Sequence, residues 1–89
     1  MSVEMHSLTV TLAAASPANG TSAVEHRARI WKAMSELSAA VRAAGMRNQA
    51  CLRAHDGRGH AMFEATTAGT AFLASLPGIA GIEDHHGRL

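Results

Sequence analysis

The chain has 89 residues, 47% of them apolar and 17% charged, which excludes intrinsic disorder and leaves room for one domain, residues 1–89, around a single small core. Its net charge of +1 with neutral histidines gives no electrostatic footprint for nucleic acid or an anionic membrane surface. No run of about 18 apolar residues marks a membrane span, and Met1 to His6 lacks a basic region followed by an apolar run, so a cytoplasmic location is the expectation.

Ser7 to Thr11 alternate polar and apolar, with Leu8, Val10 and Leu12 on one side, the mark of a half-buried strand. Ser16-Pro-Ala-Asn-Gly20 reads as a loop. Ser22 and Glu25 have capping-box spacing, so a helix is expected to start near Ala23 and to end at Gly45. Ile30, Trp31, Met34, Leu37 and Val41 form its apolar stripe and are read as core, opposite Glu25, Arg29, Lys32 and Glu36.

Met46 to His55 alternates again, and Asp56-Gly-Arg-Gly59 turns the chain into a second strand, His60 to Ala65. A register symmetric about that turn pairs Leu52 with Phe63, Ala50 with Ala65 and Ala54 with Ala61 on one face. The other face then holds the pairs Cys51 with Glu64, Arg53 with Met62 and His55 with His60. Thr66 or Thr67 caps a shorter helix containing Ala71, Phe72 and Leu76, which Pro77-Gly78 stops, and Ile79 to His86 is the expected last strand. The order βαββαβ predicts an α+β fold with a four-stranded antiparallel sheet and two helices on one face. It resembles the ferredoxin-like superfamily along nearly the whole chain, a fold that many unrelated functions share.

Six histidines against one lysine is the unusual proportion in the composition. With the start of the first strand, the hairpin turn and the end of the last strand at one edge, His6, His55, His60, His85 and His86 are expected to converge there. His55 and His60 on paired strands are then a candidate clip for zinc, nickel or copper, completed by His85 or His86, because neutral imidazole suits these ions. Asp84 or Glu83 is the candidate carboxylate ligand or its second-sphere acceptor.

Catalysis is not expected. Cys51 and His55 share a face but stand about 13 Å apart along a strand, beyond the reach of a nucleophile and its base. Gly57 and Gly59 lie in a strand-to-strand turn rather than at a strand-to-helix phosphate cradle. The open sheet face lacks the aromatics on which RNA bases stack. Thr9, Thr11, Cys51, Arg53, Met62 and Glu64 therefore define the expected binding face, through which a non-enzymatic binding or assembly module meets a protein partner or forms a homodimer. A dimer would also supplement a core poor in aromatics.

Leu76-Pro-Gly-Ile-Ala-Gly-Ile-Glu-Asp84 resembles the closing segment of subtilisin propeptide-like inhibitors, where a proline and glycine end the second helix and an acidic strand follows. That resemblance implies the same βαββαβ order and an extended tail, here His85 to Leu89, lying in a protease cleft.

Overall fold

Leu8, Val10 and Leu12 are buried while Ser7, Thr9 and Thr11 face the other way, as period-two alternation in a strand with one covered face requires. A computed structural model describes residues 4–16 and 20–85. Its elements are strand β1 (His6–Leu12), a 3-10 turn (Ala13–Ala15), helix α1 (Ala23–Ala43), strands β2 (Ala50–His55) and β3 (His60–Ala65), helix α2 (Thr67–Ser75) and strand β4 (Ile79–Asp84). The strands form one sheet in the order β2-β3-β1-β4, every neighbouring pair antiparallel. The expected α+β arrangement of ferredoxin-like topology is present.

The helix ends follow their local chemistry. Ser22 Oγ accepts from the Glu25 N–H (3.1 Å), and Glu25 Oε1 accepts from the Ser22 N–H (3.3 Å), so the capping box satisfies two donors at the start of α1. At the other end Gly45 adopts φ +70°. Its N–H donates to Arg42 O and that of Met46 to Val41 O, the paired bonds that close a helix once a left-handed residue follows it. Thr66 Oγ1 caps α2 by accepting from the Gly69 N–H at 3.0 Å.

The core lies between the sheet and the helices. Leu8, Val10, Leu12, Ala61, Phe63 and Ala65 meet Met34, Leu37 and Val41 of α1 and Leu73 of α2, so both helices cover the same sheet face and leave the other bare. Each fully buried leucine contributes roughly 1.5–3 kcal/mol. Leu73, fully buried, is the apolar anchor of α2 that the shorter sequence pattern missed.

Four expectations are corrected. β2 starts at Ala50 rather than Met46, because residues 47–49 form a turn after the end of α1. Trp31 is not core but 54% exposed; it flanks the stripe of Ile30, Met34, Leu37 and Val41 and overhangs edge strand β2. The β2–β3 register is symmetric only as far as Leu52 with Phe63. A bulge at Arg53 then sets Ala54 opposite Met62 and His55 opposite Ala61, so His55 moves to the helix face while His60 stays on the open face. Finally, β1 runs antiparallel to β3 and β4, so its start lies beside the end of β4 but at the opposite end of the sheet from the hairpin turn.

Gly69 is where α2 meets the loop before β2: a Cβ there would stand 1.8 Å from the Gln49 carbonyl oxygen, a backbone atom that cannot swing aside. Gly69→Ala is expected to lower the unfolding free energy by about 2 kcal/mol or more, because the overpacked contact forces the helix off the sheet. Gly81→Ala, at an open position, should change it by less than about 0.5 kcal/mol. Urea denaturation of both variants measures the difference.

Candidate functional site

The bare sheet face is laid out in rows that the register fixes. One row runs from Cys51 through Glu64 to Ser7, the next from Arg53 and Ala54 through Met62 and Thr9 to Glu83, and the last from His60 through Thr11 to Gly81. A broad depression of about 660 Å³ covers the first two rows, bordered by Ser7, Thr9, Arg53, Met62, Glu64 and His85. At its centre Met62 is 48% exposed, and Thr9 Oγ1 lies 3.7 Å from its sulfur. Arg53 Nε donates to Glu64 Oε1, an exposed ion pair worth well under 1 kcal/mol in itself that nonetheless orients both groups across the face.

All six residues expected on the binding face, Thr9, Thr11, Cys51, Arg53, Met62 and Glu64, belong to these rows. Arg53 reaches the face as the extra residue of the bulge rather than as the partner of Met62. Cys51 is only partly exposed, its thiol donating to the Arg47 carbonyl at 3.2 Å. His85 was missed as a member of this face: its Nε2 lies 2.9 Å from Thr9 Oγ1 and 3.3 Å from Glu83 Oε1, while its backbone N–H donates to Ser7 O.

The histidines do not converge. His6 Nδ1 sits 3.3 Å from Asp84 Oδ2 at the β1-start end of the sheet, whereas His55 and His60 belong to the hairpin end, about 16 Å away along β1. His55 packs edge-on against Trp31, ring centroids 5.4 Å apart on the helix face. His60, on the other face, turns its Nδ1 to Asp56 Oδ2 at 2.8 Å. The bulge thus breaks the proposed clip, and His86 lies outside the described residues. Among the described residues no group of three or more His, Cys, Asp or Glu is placed to hold a metal ion.

What His60 does instead is close the hairpin. Asp56 Oδ1 accepts from the backbone N–H groups of Arg58 (2.7 Å) and His60 (3.1 Å). Donation from the Arg58 N–H, aided by His60, lowers the Asp56 carboxyl from 3.8 to about 2.

These features define a small α+β domain with one face of its antiparallel sheet uncovered. No protein-family model, curated protein or solved structure matches the chain. Among the described residues no helix is long and apolar enough to cross a membrane.

The Asp56 turn generates a pH dependence of definite sign. A carboxyl whose folded pKa lies below its unfolded value stabilises the fold above about 3.8, and that contribution disappears as pH falls through about 2. Asp56→Asn should therefore be less stable than the parent near neutrality and converge on it near pH 2, as read from urea midpoints across that range. Parallel pH curves for the two proteins would show that the carboxylate does not hold the turn.

Proposed function

We propose that the domain is a non-enzymatic assembly module whose bare sheet face packs against the same face of a second copy. The observation that carries this reading is the row Arg53/Ala54, Met62, Thr9, Glu83, which is complementary to itself. A twofold axis parallel to the strands and lying between β3 and β1 reverses the row. It lays Met62 over Thr9 of the second copy and brings Arg53, 62% exposed, over Glu83, 75% exposed. Such an isologous contact closes on itself and leaves no open surface for further growth.

Physical scale supports the same reading. Two sheets pack face to face about 10 Å apart with strands nearly aligned, a separation that side chains the size of Met62 and Thr9 fill. Four strands about 4.8 Å apart and six residues long give a face of roughly 19 by 20 Å, or about 400 Å² per copy, below the size of stable interfaces, so a weak, transient dimer with a dissociation constant on the order of 100 micromolar is expected. The exposed thioether of Met62 is suited to a central contact because it is flexible and adapts to the surface it meets.

Sedimentation equilibrium should give a mass that rises from the monomer toward the dimer between low and high micromolar protein. Met62→Lys is expected to abolish the dimer while the circular dichroism spectrum stays that of the parent, since a lysine at a half-exposed site leaves the monomer intact but places a charge in the middle of the contact. Arg53→Glu should weaken association and Arg53→Glu with Glu83→Arg should restore it. A strict monomer at the highest soluble concentration overturns the proposal.

A further inference from the structure

A second site lies on the other side of the molecule, where α1 overhangs edge strand β2. Two adjoining hollows, of about 370 and 310 Å³, share Ser38, Arg42 and Leu52 and so form one trough. Trp31 and His55 stand at one end, Arg47 and Cys51 at the other. The span of α1 from Trp31 to Arg42 makes the trough about 16 Å long at about 1.5 Å per residue. Its apolar part is Leu52, exposed within it, above the buried core residues Val41, Ala50 and Phe63, while the rest of its exposed lining is largely polar.

Charge distinguishes this trough from an ordinary packing seam. Among the described residues no carboxylate lines it, whereas two arginines do, and neither Arg42 nor Arg47 has an acidic partner there within ion-pair distance. Arg42 stands in the last turn of α1, where a cation favours the helix dipole, but that accounts for one guanidinium only. Arg47 comes from the turn after the helix, so two independent elements bring positive charge to the same hollow.

We propose that this trough binds an amphipathic organic carboxylate, its head group held by Arg42 and Arg47 and its apolar tail lying over Leu52 toward Trp31. A planar guanidinium matches a carboxylate with two parallel hydrogen bonds, and each hollow falls within the size range of small-molecule sites. The alternative occupant of an edge groove is a peptide strand added to β2. The bulge at Arg53 argues against it, because it interrupts the regular ladder that such a strand would continue. Apart from Cys51, which belongs to the first row of the open face and turns its thiol to the Arg47 carbonyl, the trough is separate from the proposed dimer face, and the test is run at protein concentrations below those at which a dimer would form.

The test uses the intact chain and two reporters it already contains. Trp31 is the chain's single tryptophan and Cys51 its single cysteine, one at each end of the trough. Dodecanoate, kept below its micelle concentration, is expected to change Trp31 fluorescence saturably and to slow alkylation of Cys51 by iodoacetamide. Dodecanol, with the same tail and no charge, should bind about tenfold more weakly or worse, and Arg42→Gln with Arg47→Gln should weaken dodecanoate to a similar degree. Arg29→Gln, on the exposed side of α1 away from the trough, should leave it unchanged, and unaltered circular dichroism confirms that each variant folds. Equal binding of acid and alcohol, equal binding by the double variant, or no saturable binding of dodecanoate overturns the proposal. So does a peptide with an apolar carboxyl end that binds the trough while dodecanoate does not.

Discussion

Side chains on a pleated strand alternate with period two, so one extra residue reverses the facing of everything beyond it. In β2 that residue is Arg53, and the rest of the molecule's surface chemistry depends on it. Before the bulge, Leu52 and Phe63 pair on the core face as the hydrophobic pattern demands. After it, Ala54 instead of Arg53 stands directly opposite Met62, Arg53 keeps to the open face and meets Glu64, and His55 passes to the helix side to meet Trp31. Without the bulge His55 would pair with His60, and the hairpin would carry two imidazoles on one surface. The bulge also interrupts one of the two free edges of the sheet, a position where a regular strand invites unwanted pairing.

The two faces of the sheet consequently carry different chemistry. The open face offers one soft apolar residue, Met62, inside a frame of paired charges, a surface suited to a matching sheet. The covered face is closed over its centre by the stripe of α1 and by Leu73, but between α1 and β2 it leaves a trough that holds Leu52 and two arginines. Exposure of Trp31 follows from the same placement. It occupies the margin of the helix stripe, where a large ring bridges α1 and the edge strand without entering the core.

Much of the fold was legible in the sequence because its signals are local. Alternation from Ser7 to Leu12, the Ser22 and Glu25 pair, Gly45 after a long helix, the Asp56-Gly-Arg-Gly59 turn, the Thr66 cap and the Pro77-Gly78 stop each act within a few residues, and each element they bound is present. The open-face residues were legible too, since alternation alone assigns Thr9, Thr11, Met62 and Glu64. The histidine arrangement was not, for two physical reasons. A bulge in a strand with Cys51, Arg53 and His55 at alternate positions leaves the polar pattern unbroken, so nothing in the pattern marks it. The ends at which strands meet depend on pairing direction, and the antiparallel pairing of β1 with both neighbours parts His6 and His85 from the hairpin. The trough was equally hidden, because Arg42 and Arg47 look like ordinary solvated charges until the turn at 47–49 brings the second back beside the first element.

The register of the hairpin is the central claim, and cross-strand nuclear Overhauser effects in the labelled protein test it most directly. The account predicts contacts of His55 with Ala61 and of Ala54 with Met62, together with contacts between the rings of His55 and Trp31. Contacts of His55 with His60 and of Ala54 with Ala61 would contradict it, restoring an unbulged hairpin and returning both histidines to one face.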